Sequence, residues 1–580
     1  MVRFLWLNAY DSQGKSYLFS APKEILVFSG GDPGEFFRRL EEALSRGFFA
    51  AGFFTYEFGY FLEKRLFPFR KRRPQGVPLA WFGIFDPPEP FRLTGAPEIR
   101  PVKIENLGLT LTEEAYRRAI LRIKDYIASG DTYQVNYTLK YRFDFSGRPK
   151  DLFLRLLRKQ RVRYAALLEA EDFSVVSLSP ELFLERRGLS LTSSPMKGTA
   201  PRRALPEEDE ALARFLTEDP KSRAENVMIV DLIRNDLGRV CEPGSVFVPE
   251  LFKVERYRTV HQMISTVSGT LRKDTGLYEI FRALFPCGSV TGAPKIRTME
   301  IIAELEPEPR GVYTGAVGWI APSGDFLFNV AIRTVVLHEE GGEFGIGSGV
   351  VWDSDPGEEW RECLLKARFL TEEPPEFSLV ETLRLEKGKL ARLERHLRRL
   401  KRSAAHFVLP FPETRIRERL KELSSGLPEK ARVRILLSEW GEVSVEAGPL
   451  TEFPQPVKVG LMRRDFSPDL DFLLYKTTHR PWYEAARKRA QALGLSEIVF
   501  YDEAGRLTEG TITNVFLEIN GKLYTPPKTL GLLPGILREE LLETGQAEER
   551  EITLSDLLTG RLFIGNSARG LIPVEAIYFL

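Results

Sequence analysis

The sequence predicts a mixed α/β protein of more than one domain, on three observations. The chain has 580 residues, too many for a single hydrophobic core. From Thr112 to about residue 370, strand-like apolar runs alternate with segments of helical spacing. At Glu372-Glu373-Pro374-Pro375-Glu376 two prolines stand among acids, and beyond them a strand–turn–strand–helix pattern starts again. Residues 371–375 are therefore read as a linker between domains at 1–370 and 376–580.

The elements follow in order. Arg3-Phe4-Leu5-Trp6-Leu7 is a short apolar run with no small-residue cleavage site behind it, so it reads as a buried strand and not as a signal peptide. Pro33 to Ser45 has the spacing of an amphipathic helix, and Ala50 to Glu57 reads as a buried strand. Arg70 to Pro74 and Pro87-Pro88-Glu89-Pro90 read as loops. Thr112 is placed to cap a helix whose Ile120, Ile123 and Ile127 share a face, although Ala115 stands where a capping box has Glu. Lys387-Gly388-Lys389 reads as a hairpin turn.

Composition narrows the functional classes. Hydrophobic residues at 43% and charged residues at 28% are those of a soluble globular protein. With 82 basic against 81 acidic residues there is no net field to attract nucleic acid or an anionic membrane surface. No apolar run is long enough to cross a bilayer. Cys241, Cys287 and Cys363 are odd in number and far apart, which suits a reducing cytoplasm. The five histidines show no metal-ligand spacing, so any metal is expected to be a hard cation held by carboxylates.

Several distinct motifs stand along the chain: Ser179-Pro180-Glu181, Pro195-Met196-Lys197-Gly198-Thr199, Lys221-Ser222-Arg223-Ala224-Glu225-Asn226, Val260-His261-Gln262, Gly288-Ser289-Val290-Thr291-Gly292 and Glu359-Trp360-Arg361-Glu362-Cys363. A lysine between a proline turn and a glycine can reach a ligand from tight backbone. Glu359 and Glu362 are three apart on an expected helix and share a face. A carboxyl such as Glu181, at the end of an apolar run, can have its pKa raised as a general acid needs. Gly345-x-Gly347-x-Gly349 lacks the spacing of a nucleotide loop and the helix that should open after it.

Together these segments resemble the chorismate-utilising enzymes, over residues from about 50 to 370 and most specifically over 130 to 368. The resemblance implies that family's α/β sandwich, chorismate as substrate, and Mg²⁺ on Glu225 and Glu362 with Glu359 in support. The family often has a fourth acid where this chain has Ser222. Glu181 is implied as the acid for the departing C4 hydroxyl, with His261 and Thr291 beside the ring. Arg333, Tyr313, Lys366 and the backbone of Gly347 and Gly349 are expected to hold the substrate, Arg333 by binding carboxylate bidentately.

Lys197 looks like the branch that makes 4-amino-4-deoxychorismate, because relatives that make other products commonly have alanine there. A lysine can attack C2 while the C4 hydroxyl leaves, and ammonia can then displace it from C4. The amine must be neutral to attack, and burial with Mg²⁺, Arg333 or Lys366 nearby is expected to depress its pKa. Gln134 stands where water-using relatives have a lysine base, and glutamine cannot take that role.

Residues 376 to 580 resemble the fold-type IV, branched-chain aminotransferase-like enzymes, which use pyridoxal 5′-phosphate (PLP) and fold as two α/β subdomains. The resemblance implies Lys476 as the lysine joined to PLP and as catalytic base. It implies Glu509 at the pyridine nitrogen and Arg399 at the phosphate. Ile536 and Leu537, opening a helix after Gly535, would add backbone amides to the phosphate, and Ser567 a hydroxyl. The family's usual N-terminal segment before Glu381-Thr382 is absent. The family allows a homodimer through this domain.

The combined expectation is a bifunctional enzyme making p-aminobenzoate for folate synthesis. No Gly-x-Cys-x-Gly glutaminase nucleophile is found, so ammonia is expected from a separate glutaminase subunit or from solution. The alternatives are an anthranilate synthase-like first domain, and a second domain that transaminates D- or branched-chain amino acids. A catalytically dead chorismate-binding regulator is the remaining reading, with only Ser222 pointing to it.

Overall fold

The computed structural model describes residues 2–10, 15–93, 95–339, 341–423 and 429–580. These form two compact units. One runs to Glu373; the other comprises Pro374–Leu580 with short pieces around Gly95 and at 203–209.

In the first unit two ten-stranded sheets enclose one apolar core. Phe4, Trp6, Ala166, Leu168 and Val336 enter it from one sheet, and Ala51, Phe53, Trp81 and Val317 from the other; none is more than 4% exposed. This is a sandwich. Arg3–Leu7 is a strand antiparallel to Tyr164–Glu169, with Trp6 opposite Ala166. Pro33–Ser45 is a helix as its spacing predicts. Pro33 opens it, Asp32 accepts from Gly34 N, and Phe36, Phe37, Leu40, Ala43 and Leu44 are buried. Thr112 caps Glu113–Ala128 by accepting from Ala115 N at 3.3 Å. Ile120 and Ile123 are buried there and Ile127 half-buried.

Three readings need correction. The strand expected over Ala50 to Glu57 ends at Phe54, and Tyr56–Phe61 is a 3₁₀ helix. The chain turns there because Thr55 N and Oγ1 both donate to Leu79 O, while Glu57 accepts from Arg310 N at 2.6 Å and Gly311 N at 3.0 Å. Those bonds hold Glu57 in a corner and not in a ladder. Arg70 and Lys71 end a 3₁₀ helix, Lys64–Lys71. Glu89–Pro90 pairs with Tyr17–Leu18 at a sheet edge, a position proline tolerates.

Two strand pairs carry the first site. Gln134–Ser146 runs antiparallel to Gly341–Val350, with Gly349 opposite Asn136. Met196–Pro201 pairs with Val260–Thr270 in the other sheet. The helices Pro220–Gly238 and Pro356–Thr371 bring the acidic segments.

The second unit has two parts. A four-stranded antiparallel sheet runs in the order Lys389–Leu390, Ser378–Glu386, Lys430–Ser438, Val443–Gly448. Its Leu379, Leu383, Val433 and Ile435 pack with Leu397 and Leu400 of the helix Leu393–His406. The turn at Lys387 and Gly388 has φ of 49° and 73°, the left-handed pair a two-residue hairpin requires. In a nine-stranded mixed sheet, Lys458–Arg463 runs parallel to Glu497–Tyr501, and Pro481–Ala492 is the helix between them. Leu379 bridges Thr477, and Val380 N donates to Lys476 O at 2.9 Å. That pins the Lys476 segment to the smaller sheet.

Phe54 is fully buried, and the rings of Phe37, Phe58, Phe82, Phe281 and Phe328 lie 4.7–6.0 Å from its own. Phe54→Ala is expected to cost the first unit about 3–5 kcal/mol. Denaturant unfolding reads this, and a loss below about 1 kcal/mol would contradict the packing described.

Candidate active sites

In the first unit a lysine, an amide and three carboxylates are drawn together. Lys197 lies in Met196–Pro201, followed by Gly198 at φ 97°. Its side chain is 17% exposed, and Nζ lies 4.0 Å from Glu225 Oε2. Helix Pro220–Gly238 is tied to this strand: Asn226 Nδ2 donates to Lys197 O at 3.3 Å, and Ser265 Oγ donates to Asn226 Oδ1 at 2.6 Å. Opposite is bare backbone. A Cβ on Gly349 would come 2.6 Å from Lys197 Nζ and 3.3 Å from Gln134 Nε2. Gln134 is fully buried, and neither atom of its amide has a hydrogen-bond partner among the described residues. A buried amide without partners is costly, so this one suits a ligand.

Glu181 faces the same lysine. It is 3% exposed and accepts from Ser289 Oγ at 2.6 Å and Met196 N at 3.4 Å. Burial pushes its carboxyl up to about 7, against the opposing pull of Ser289, Met196 N and Lys197. Ser289 was not singled out in the sequence; only its place in the Thr291 loop hinted at it. Thr291 itself is fully buried, and its hydroxyl donates to Cys287 O at 2.8 Å. It therefore keeps only acceptor capacity for a ligand. His261 is fully buried in the strand beside that of Lys197, opposite Ala200 and Arg256 in the ladders.

Arg333, Lys366, Glu362 and Tyr313 adjoin one another. Arg333 holds a left-handed backbone, φ 51°, rare for a non-glycine residue. Its Nη1 donates to Lys366 O at 2.6 Å, a carbonyl and not a carboxylate. Burial pulls the guanidinium below its ordinary pKa, while Tyr313 and Glu362 favour its charge. Lys366 Nζ donates to Gly347 O at 2.7 Å and to Glu362 Oε1 at 2.5 Å. A Cβ at Gly347 would meet Tyr137 O at 2.6 Å. The Tyr313 ring fills the space over Gly345, and burial raises its hydroxyl pKa.

The acids fit a hard cation in part. The Glu362 side chain is half exposed; what burial it has opposes its charge, but Lys366, then Lys197 and Lys221, more than offset this and its pKa is lowered. Glu225 and Glu362 thus both bear on Lys197. Among the described residues no three His, Cys, Asp or Glu side chains cluster as a metal site. Mg²⁺ commonly takes one or two carboxylates and completes its shell with water and substrate, so two carboxylates are an adequate donor set. Glu359, half-buried on the same helix, bears together with Glu362 on Cys363, and also on Tyr116. Ser222 has a local task, its N–H donating to the helix-capping Asp219 at 2.8 Å.

In the second unit Lys476, Arg399, Glu509, Ile536 and Ser567 line one cavity of about 280 Å³. Burial first, then Arg480, Arg399 and Arg434, push the Lys476 amine down to about 7. Burial pushes Glu509 up to about 7, although Tyr483 OH and Leu533 N both donate to it. Gly535 caps the helix Ile536–Glu543, and Gly535 and Ile536 line the cavity, whereas Leu537 lies outside its lining. Arg399 is not free for a phosphate alone. It pairs with Glu381 through two bonds, Nε to Oε1 at 2.8 Å and Nη2 to Oε2 at 2.7 Å, and its Nη1 donates to Pro534 O. His396 bridges Glu381 (2.6 Å) and Ser567 (2.7 Å). Glu381, His396 and Tyr483 had no signal in the sequence, since each acts through another side chain. The set fits PLP: a depressed amine, a carboxyl for the ring nitrogen, and helix amides for the phosphate.

A family model for chorismate binding enzymes matches residues 4–372. The chain belongs to that family, and behind it carries an amino-transferase class IV domain matched over 378–577. One relative, aminodeoxychorismate synthase component 1 of Bacillus subtilis, is 42% identical over 287 residues, 49% of this chain and 60% of its own. An anthranilate synthase component 1 of Haloarcula marismortui is 41% identical over 48% of this chain and 57% of its own. The chain therefore spans less than two thirds of the length of these relatives. The crystal structure of anthranilate synthase component I from Streptococcus pneumoniae superposes with a TM-score of 0.54 at 26% identity, covering 62% of this chain and 93% of that one. The class IV domain implies PLP, and the chorismate-binding family is in general Mg²⁺-dependent. No helix among the described residues is long and apolar enough to cross a membrane.

The raised Glu181 pKa has a pH signature. Folding makes Glu181 bind a proton between pH 4.5 and about 7, so its contribution to stability falls as pH rises through that window. Glu181→Gln should gain stability relative to wild type from pH 5 to pH 8, by up to roughly 3 kcal/mol. Thermal unfolding of both proteins across that range tests this; a pH-independent difference would mean that Glu181 titrates normally.

Proposed function

We propose that the chain makes p-aminobenzoate in two steps: chorismate and ammonia give 4-amino-4-deoxychorismate, which then loses pyruvate. The observation that carries the first step is the Lys197 amine set against Gly349 and the Gln134 amide, facing Glu181. In this reading Lys197 Nζ bonds to C2, both ring double bonds shift, and the C4 hydroxyl leaves as water on protonation by Glu181. Ammonia then bonds to C4, both double bonds shift back and Lys197 is released from C2, so amination stays at C4. Lys197 favours this over C2 amination of the anthranilate type. Arg333 binds a substrate carboxylate. Glu225 and Glu362 would hold Mg²⁺, which supplies charge for a further carboxylate. Ammonia comes from a separate glutaminase subunit or from solution.

In the second step PLP, when bound, supplies the electron sink for the carbon bearing the amine. Lys476 takes the proton from C4, the bond from C3 to the enolpyruvyl oxygen breaks, and the departing enolpyruvate is protonated to pyruvate. Glu509 keeps the pyridine nitrogen protonated. Helix amides at Ile536 and Leu537, with Arg399 and Ser567, hold the phosphate.

Two variants separate the steps. Lys197→Ala should stop formation of 4-amino-4-deoxychorismate from chorismate and ammonium yet still convert added 4-amino-4-deoxychorismate to p-aminobenzoate. Lys476→Ala should do the reverse and accumulate the intermediate, with products read by mass. Wild-type synthase activity in Lys197→Ala rules out the covalent step. A wild type that transaminates amino acids and leaves the intermediate intact rules out the lyase. EDTA should stop the first step alone; loss of both or neither contradicts the metal assignment.

A further inference from the structure

The cavity around Lys476 carries more positive charge than a cofactor phosphate accounts for. Besides Arg399, already paired with Glu381, it is lined by Arg432, Arg434, Arg480, Arg487 and Arg569, and among the described residues its one lining carboxylate is Glu509. The five sit on three elements. Arg432 and Arg434 are two apart on the strand Lys430–Ser438, so both leave the same face, opposite the core-facing Val433 and Ile435. Arg480 precedes the helix Pro481–Ala492, and Arg487 lies seven residues on, two turns along the same side. Arg569 stands in the turn after Asn566, whose Oδ1 accepts from Ala568 N and Arg569 N at 3.1 and 3.0 Å.

The hydrogen bonds of Arg480 and Arg569 go to carbonyls, and the carboxylates that bear on Arg569, Glu452 and Glu497, lie outside the cavity lining. Arg480 donates to Thr511 O, and Arg569 donates to Thr451 O through Nε (3.0 Å) and Nη2 (2.8 Å). Glu446 faces Arg434 across the ladder but is exposed. The charges divide into two groups. Arg480 and Arg434 weigh on Lys476, whereas Arg487 and Arg432 weigh on Arg569. One group bears on the reacting amine, and the other surrounds Arg569 and includes the exposed Arg432.

We propose that this cavity selects a cyclic dicarboxylate amine by two arginine groups, Arg434 with Arg480 for a carboxylate beside the amine and Arg432, Arg487 and Arg569 for one across the ring. The inference rests on the lyase reading above. In 4-amino-4-deoxychorismate the enolpyruvyl carboxylate hangs from the carbon next to the amine, and the ring carboxylate is para to it. An amino acid offers only the near carboxylate and leaves the outer group unfilled. The outer arginines therefore set lyase specificity against transamination.

p-Aminobenzoate is a suitable probe, because it keeps the amine and the far carboxylate and lacks the near one. Its affinity for the full-length PLP-loaded protein can be read from the PLP absorbance. Arg569→Gln should weaken that affinity and raise KM for 4-amino-4-deoxychorismate, each by about 10- to 100-fold. Arg434→Gln should raise KM and leave p-aminobenzoate affinity near wild type. Arg569→Lys, which keeps the charge, should recover part of the loss, and retained PLP absorbance shows that the variants are folded. Unchanged affinity and KM in Arg569→Gln overturn the proposal while the lyase reading stands. A wild-type protein that releases no pyruvate from 4-amino-4-deoxychorismate overturns the lyase reading and this proposal with it.

Discussion

Each unit of this chain is organised around a lysine amine withdrawn from water, and the charge set around that amine decides what the rest of the site can bind. Lys197 faces Glu181, Glu225 and Glu362. Lys476 faces Arg480, Arg399 and Arg434. The first surrounding suits cations, and the second suits anions. Removing a charge from water is expensive unless neighbours compensate it, so the two environments are not interchangeable. Ion pairs that look redundant follow from this. Lys366 pairs with Glu362 at the exposed edge of the first site, and Glu381 pairs with Arg399 in the buried second one, so neither charge stands uncompensated.

Strand register does the positioning in the first unit. Gln134 and Gly349 come from strands more than 200 residues apart in the chain, and nine consecutive pairs, from Gly342 with Phe143 to Val350 with Val135, fix their alignment. A slip of one residue would turn Gln134 to the other face. The glycines at 347 and 349 are required for close approach: a side chain at either would meet Tyr137 O or Lys197 Nζ. Glu181 depends on a different device. Its strand ends beside the Thr291 loop, and Ser289 and the Met196 amide hold the carboxyl in one orientation.

In the second unit the Lys476 segment is stitched to the smaller sheet through Val380 and Leu379. The same sheet carries Glu381, which orients Arg399 and His396, and His396 reaches Ser567 on the larger sheet. A relay of four side chains thus joins the two parts at the phosphate end of the cavity. Tyr483 and Leu533 N do the equivalent for Glu509.

The sequence by itself determined the mixed α/β class, the helix at Pro33–Ser45, the cap at Thr112 and the hairpin at Lys387-Gly388. These depend on local periodicity and turn chemistry. It also carried the motifs that contain Lys197, Glu181, Gln134, Lys476 and Glu509. Only the tertiary structure decided what those residues face. It turned the chain at Thr55, because the bonds that fold Glu57 into a corner come from Arg310 and Gly311, far along the chain. It gave Ser222 to a helix cap and spent the Thr291 hydroxyl on Cys287 O. It gathered Arg432, Arg434, Arg480, Arg487 and Arg569 into one cavity. Side-chain pairing across a sheet or between loops has no period along the chain, so no spacing rule could have disclosed it.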